Sequence, residues 1–446
     1  MNFICNCKIK IFILLLLLIY LKNNHIKSNS QKYINNINLS EYNTIKIGIY
    51  THSLINGGVE RNTALLINYL AKNKNFELYL YNQKKTYNEY KIPSNVKRVI
   101  IHYQAKELKL NILKNKIDIF IYQLYDIDII SMLQKIKNLK IIFYIHSCFL
   151  FWIYSYNNFI FKNVYNEYKK GLYIISLVPF ENNYLFKKWG INSIYLNNFL
   201  TYEYKKVIQS DLCSKNILMI GRAGDKYKRF DLGIIAMKFI IKEIIDSQMI
   251  IISDDNEISN LKDLINHLYL EDNIKFVGYT SNPEIFFKNI SLHIFPSIAE
   301  AFPMVLSETK IYGIPSILLG IDYVSTAKGG VITIYDESPE TISNVAIKIL
   351  KDYKYRKYLG REARKSMKKF DNDILFKKWV KLIIAIKNGE DSYKKIIQND
   401  KSLKENESKY ILENQIKLLK KRIPKFNNIT LNDILNFSFI KELNFV

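Results

Sequence analysis

Two short stretches of this chain bring together residue types that suit a phosphorylated ligand. The first is Gly221-Arg222-Ala223-Gly224-Asp225-Lys226-Tyr227-Lys228-Arg229, which follows the apolar run Asn216–Ile220. Its glycines let backbone come close to a ligand. Arg222 and Lys228 stand six residues apart. The first offers a planar guanidinium for pairs of oxygens and the second a compact point charge. A helix is expected to begin at Phe230, and helix N-termini attract anions. This combination fits a diphosphate, although a solvated basic turn has a similar composition. The second stretch runs from Pro296 through Glu300, Ala301, Phe302 and Pro303 to Glu308. It follows the apolar run Leu292–Phe295, which puts Glu300 at the carboxyl end of a strand. Pro303 is expected in the first turn of a helix, where its missing N–H costs nothing. The free N–H groups of Met304 and Val305 then face an anion. Two carboxylates beside a phosphate repel it unless each has another task. Accepting hydrogen bonds from sugar hydroxyls is such a task.

The elements that must hold these residues alternate along the chain. Short apolar or β-branched runs occur at Ile45–Tyr50, Phe76–Tyr81, Val96–His102, Asp118–Gln123, Ile141–His146 and Ile174–Val178, with a helical pattern at Val59–Lys72. After the polar stretch Lys205–Lys215 a second series follows at Asn216–Ile220, Met249–Ser253, Ile274–Val277, Leu292–Phe295, Ser316–Leu319 and Val331–Ile334. Helical segments separate these at Phe230–Ile245, Glu257–Leu268, Met304–Ile311 and Ser338–Leu350. Strands alternating with helices predict an α/β protein with parallel sheets covered on both faces. Two series predict two doubly wound, Rossmann-like domains, at residues 40–205 and 206–389, with a cleft between them. Residues 390–446 read as a polar, helical tail, with a helix over Tyr410–Lys421 and a capping box at Thr430 and Asp433.

The order of Gly221-Arg222 and Lys228, Phe276-Val277-Gly278, then Phe295-Pro296-Ser297 with Glu300 and Glu308 separated by seven residues, resembles the retaining glycosyltransferases of family four. The resemblance covers about residues 45–385 and implies the GT-B fold, in which two Rossmann-like domains face each other. It implies a hexosyltransferase that uses a nucleoside-diphosphate sugar as donor and a glycan or glycolipid as acceptor. Arg222 and Lys228 would grip the diphosphate, Glu308 the ribose hydroxyls, and Glu300 with Ala301, Phe302 and Pro303 the transferred sugar. Gly57-Gly58 resembles the family's glycine loop over the diphosphate, where glycine avoids a Cβ clash and can take a positive φ. His146 matches the family's histidine facing the donor sugar, and Glu300 and His146 are the residues expected at the reacting centre. Asn197 or Asn198 matches the family's asparagine before the interdomain linker. Ala301 departs from the family's usual glycine. No cofactor and no metal is expected, and Asp126-Ile127-Asp128 reads as a helix cap. A GT-B protein that binds without catalysis is the alternative reading.

Composition bounds the partners. The chain has 446 residues, 48% hydrophobic and 24% charged, enough apolar material for sizeable cores. Cys5, Cys7, Cys148 and Cys213 match neither a disulfide scaffold nor a zinc site. The formal net charge is +24, yet only eight of the 65 basic residues are arginine. That scarcity argues against nucleic acid, whose readers favour arginine. Half of the excess, +12, falls in residues 31–205. It makes an anionic membrane surface a candidate partner, at about 1 kcal/mol per well-placed basic residue. Lys8-Ile9-Lys10 precedes eleven apolar residues, Ile11 to Leu21, and Lys22 closes the run. Residues 1–30 therefore read as a signal peptide or a short signal-anchor, which implies a membrane-associated or secretory-pathway protein; without that role the chain is cytoplasmic.

Overall fold

Branched and aromatic side chains suit a pleated surface, and the runs that carry them form thirteen strands among the described residues. The structure is a computed structural model. It describes residues 44–436, apart from residue 56 and the segments 103–104, 155–157, 171–172, 255–257 and 399–403. The first sheet contains β1 (Ile45–Thr51), β2 (Phe76–Asn82), β3 (Lys97–Ile100), β4 (Ile119–Tyr122), β5 (Lys140–Ile145), β6 (Tyr173–Ser176) and β7 (Ser193–Tyr195). Its order is β3-β2-β1-β4-β5-β6-β7. The second contains β8 (Ile217–Ile220), β9 (Met249–Ile252), β10 (Ile274–Phe276), β11 (Leu292–Phe295), β12 (Ser316–Leu319) and β13 (Val331–Ile334), in the order β10-β9-β8-β11-β12-β13. In both sheets the strand order reverses beside the first strand. There β1 runs parallel to β4, with Ile47 opposite Ile119, and β8 runs parallel to β11, with Leu292 opposite Ile217. Ligands of such sheets bind at the carboxyl ends of the strands, at this reversal.

The central strands β4, β8 and β11 are buried along their whole length. That is why they read as unbroken apolar runs instead of alternating ones. The expected strands are present, most with ends shifted by one or two residues. β3 is trimmed to four residues at the sheet edge, where only one neighbour holds it. β7 was not expected, because three residues are too few to show a period.

The helices used below are α1 (Gly58–Leu70), α2 (Ile127–Gln134), α3 (Phe230–Glu243), α4 (Met304–Ile311), α5 (Pro339–Lys351), α6 (Asn372–Asn388), α7 (Glu390–Gln398), α8 (Glu405–Arg422) and α9 (Leu431–Leu435). α3 packs on α5 over the second sheet, with Met219, Ile240, Ile294 and Ile349 in its core. Asp126 caps α2 as expected, accepting from the N–H groups of Asp128 and Ile129. Thr430 and Asp433 form the expected capping box on α9.

The last helices do not stay with the second sheet. α6, inside the segment expected to end at 389, packs on α1. Its Trp379 ring lies 5.4 Å from that of Tyr144, and Lys387 Nζ is 2.6 Å from Asp118. In α7 the Tyr393 hydroxyl accepts from the Ile174 N–H of β6 at 3.2 Å. Near α9, Trp189 donates to the Ile434 carbonyl at 3.0 Å. The chain passes from the first sheet to the second near Leu200 and returns near Asn372, and these two crossings are tied together. The Leu200 N–H donates to Asn372 Oδ1 at 2.7 Å, and Asn372 Nδ2 donates to the Leu200 carbonyl at 2.9 Å. The run Ile11–Leu21, with Cys5 and Cys7, lies outside the described residues. Among the described residues no helix is long and apolar enough to cross a membrane.

Candidate functional site

β8 ends in Gly221, whose φ of +151° suits glycine. A single 3-10 turn, Lys226–Lys228, then leads through Arg229 into α3. Arg229 takes φ +50°, and its guanidinium is held by Asp231 and Glu337. The turn is bonded to the loop after β11, because the Ile298 N–H donates to the Tyr227 carbonyl at 2.9 Å. Lys228 Nζ reaches Glu300 Oε1 at 2.5 Å, and Ser297 Oγ donates to the same oxygen at 2.7 Å. The ammonium also lies 5.3 Å from the Tyr227 ring centroid and 5.7 Å from that of Phe295. Arg222 is set differently. Its Nη2 donates to the Tyr227 hydroxyl at 3.0 Å, and its Nε lies 3.0 Å from Asp225 Oδ2. With its side chain 64% exposed, the guanidinium is oriented yet open to a ligand.

Both features face one cavity of about 480 Å³. Its walls include Arg222, Lys228, Glu300, Ala301, Phe302 and Pro303 from the second sheet's side, and Gly57, Gly58 and His146 from the first. Pro303 is the N-cap of α4 and not its first helical residue; its φ of −69° and ψ of 103° are extended. No side chain caps α4 there, nor α1 at its N-cap Gly57. Both N-termini border the same space; that of α4 offers free N–H groups and a partial positive charge, whereas the Glu60 carboxylate, bonded to its own N–H, covers that of α1.

The glycine pair is used in another way than expected. Neither Gly57 nor Gly58 takes a positive φ; Gly57 is extended at −160°. An added Cβ there would meet only the Glu60 carboxylate, the movable end of a flexible side chain. His146 follows β5. Its Nε2 is 2.9 Å from Gln123 Oε1, and its ring centroid is 4.2 Å from that of Tyr144. Burial pushes its pKa down to about 3, so the ring is neutral at physiological pH. Of the two asparagines, Asn198 lines this cavity and Asn197 does not. Asn198 Oδ1 accepts from the Tyr144 hydroxyl at 2.8 Å.

Glu308 sits one helical turn behind the wall, fully buried. Its Oε1 accepts from Arg61 at 2.5 Å and from Thr201 Oγ1 at 2.6 Å, while Oε2 is buried without a hydrogen bond. Glu308 raises the Arg61 pKa above its usual value, against the lowering effect of burial. Arg61 belongs to α1, so this ion pair joins the two sheets' layers across the cleft.

Four contributors escaped sequence reasoning. Arg61 and Thr201 hold Glu308. The Tyr323 hydroxyl accepts from the Glu300 N–H at 3.0 Å. Arg422, at the end of α8, bonds Glu337 at 2.5 Å, the Tyr154 hydroxyl at 3.0 Å and the Leu319 carbonyl at 3.2 Å. The tail therefore braces the site. The scarcity of arginine was a usable signal for two of the four. In a chain where lysine supplies most positive charge, the few arginines stand where several donors are needed at once.

Neighbouring nucleophilic and acidic groups are inert by comparison. Burial lifts the Cys148 thiol to about 12, with its Sγ 3.6 Å from the Tyr323 hydroxyl. Glu181, fully buried, accepts from the Phe149 N–H at 2.8 Å, and burial raises it to about 8.

Comparison with known proteins agrees with this layout. Residues 202–366 match the family described as "Glycosyl transferases group 1". An uncharacterized glycosyltransferase of Haemophilus influenzae is 29% identical over 102 residues, 23% of this chain and 29% of that protein. The matched stretch thus spans under a third of that relative. Among solved structures, sucrose-phosphate synthase of Thermosynechococcus elongatus superposes with a TM-score of 0.66 at 14% identity, covering 77% of this chain and 99% of that one. HepE of Anabaena, in complex with UDP and glucose, gives 0.62 at 13% identity, with coverages of 76% and 99%. The two facing Rossmann-like domains are the GT-B fold.

Proposed function

We propose that this GT-B chain, with a group 1 glycosyltransferase segment at residues 202–366, moves a hexose from a nucleoside-diphosphate sugar to a hydroxyl of a glycan or glycolipid, with retention of configuration. One observation carries the reading. Arg222, Lys228, Glu300 and the uncapped N-terminus of α4 converge at the carboxyl ends of β8 and β11, in a cavity closed on its other side by α1 and His146. Two cations and a helix N-terminus suit a diphosphate, and Glu300 among aromatic and small residues suits a hydroxyl-bearing ring.

In this reading the diphosphate lies between Arg222, Lys228 and the N–H groups of Met304 and Val305. The Lys228–Glu300 pair presets both groups, and each has further hydrogen-bonding capacity for its ligand. Glu300 and the backbone of Ala301, Phe302 and Pro303 hold the sugar. Neutral His146, oriented by Gln123, faces it as a hydrogen-bond partner without adding charge. Glu308, expected at the ribose, lies buried behind the cavity wall, and its ion pair with Arg61 holds α4 against α1. As retention implies, the acceptor hydroxyl attacks from the face that the diphosphate leaves. Its proton passes to a donor phosphate oxygen. The protein's contribution is then positioning and stabilisation of the departing diphosphate.

The test is a donor screen that follows release of nucleoside diphosphate across UDP- and GDP-sugars, with wild type beside Arg222→Ala and Glu300→Ala. Each variant is expected to lose at least about tenfold in turnover, roughly 1.4 kcal/mol of barrier. Wild-type rates in both variants would overturn the assignment.

A further inference from the structure

A second cavity, of about 800 Å³, lies beyond the wall that carries Glu300. The strand-end segment 194–197 of the first sheet, the 322–328 loop after β12, and helices α6, α7 and α8 enclose it. Five lysines line it (Lys328, Lys369, Lys378, Lys381 and Lys395), against the single acid Asp322. Asp322 Oδ2 already accepts from the Tyr335 hydroxyl at 2.9 Å. Among the described residues, Lys328, Lys369, Lys378 and Lys381 form no ion pair with a carboxylate. Lys369 donates to the Ser325 carbonyl at 3.1 Å. Directly behind, buried Lys310 donates to the Thr326 and Lys328 carbonyls.

On a convex surface such lysines would splay into water. Here they converge on a concavity with low-dielectric walls, where like charges repel and their field is focused. The strain is visible in the ammonium groups. Partial burial and then neighbouring Lys328 push the Lys369 pKa below its usual value, and burial with Lys369 brings Lys310 down to about 7. Polyvalent negative charge placed there relieves that repulsion. The rest of the wall mixes apolar residues, among them Ile194, Leu196, Phe370 and Ile396, with the polar Asn197 and Ser325.

We propose that this cavity binds a phosphorylated organic anion, its phosphates on the lysines and its carbon body on the apolar part of the wall. The site is separate from the cleft of Arg222 and Lys228 and does not depend on the transfer reaction. It is nevertheless close to it, because Tyr323 lines this cavity while its hydroxyl holds the Glu300 N–H.

Calorimetric titration of the full chain tests it, with inorganic tripolyphosphate as one probe and phosphatidylcholine vesicles containing phosphatidic acid as the other. Three proteins are compared: wild type, Arg222→Ala, and the double variant Lys369→Glu/Lys381→Glu, with the melting temperature of each measured so that lost binding is told apart from lost folding. The expected result is saturable binding that survives Arg222→Ala and weakens at least about tenfold in the double variant, where two attractive charges become repulsive. Binding of free tripolyphosphate identifies a soluble ligand, and binding of the vesicles alone identifies a lipid headgroup. Equal affinity in all three proteins, loss only in Arg222→Ala, or no saturable binding of either probe overturns the proposal.

Discussion

At the scale of single residues, the site depends on charges that are placed before any ligand arrives. Arg61 and Glu308 show the cost of disturbing one of them. Removing one partner of a buried pair leaves the other without compensation, which costs about 3–5 kcal/mol. Arg61→Met is therefore expected to lower stability by about that amount, read by urea unfolding, whereas Arg61→Met/Glu308→Leu recovers much of it. A double variant no more stable than the single one would show that the pair contributes through something other than charge. Glu181 makes a prediction about pH. Its folded pKa, about 8, is above the ordinary carboxyl value, so the folded state holds a proton that the unfolded state releases. Stability from this group is full below about pH 4.5 and is lost as pH rises towards 8. Glu181→Gln keeps an acceptor for the Phe149 N–H and has no proton to lose. The fall in melting temperature between pH 5 and pH 8 is expected to be smaller in the variant than in wild type. His146 bears on activity instead. With its pKa held near 3, it adds no limb to the pH–rate profile between pH 5.5 and 7.5. A limb in that range that vanishes in His146→Gln would overturn the neutral assignment.

At the scale of elements, the strands and the two motif loops were legible because their signals are local. β8 and β11 are buried on both faces, so burial wrote them as continuous apolar runs. Gly221, Pro303 and the residues between the strands and helices carry backbone requirements that the residue types announce. What was not legible is contact between distant segments. Nothing around Arg422 marks it as the residue that reaches Glu337 and the Leu319 carbonyl, 85 and 103 positions away. Nothing in β7 reveals a strand until β6 is beside it. The glycine pair shows the intermediate case, in which the position was evident and the reason was not. Gly57 is extended and not left-handed, and an added Cβ would displace only the movable Glu60 carboxylate. The bracing role of α8 yields its own expectation. Arg422→Met removes the donors to Glu337, Tyr154 and Leu319 and leaves carbonyl and carboxylate groups short of partners. A drop of several degrees in melting temperature together with a raised KM for the donor is expected. Unchanged values in both would separate the tail from the site.

At the scale of the whole molecule, the returning helices decide how the protein can be divided. α6 and α7 cover the first sheet's layer with Trp379 and Tyr393, both buried. A chain ending at 371 would expose that surface. It is expected to be insoluble or molten, shown by loss of a cooperative thermal transition, and a soluble, cooperatively folding fragment would refute this. The two crossings have a different consequence. A domain hung on one strand of chain can swing, twist and slide. Here two strands pass side by side, and Leu200 and Asn372 fasten them at one point. Two tethers joined in this way restrain the layers more than one would, and the Arg61–Glu308 pair and Arg422, which reaches Tyr154 and the Leu319 carbonyl, add further ties. Asn198, which lines the cleft with Arg222 and Glu300, is two residues from Leu200, so the cleft is anchored beside this fastening. The lysine-lined cavity includes Lys369 and Lys378, sequence neighbours of Asn372, so the same fastening also bears on its wall.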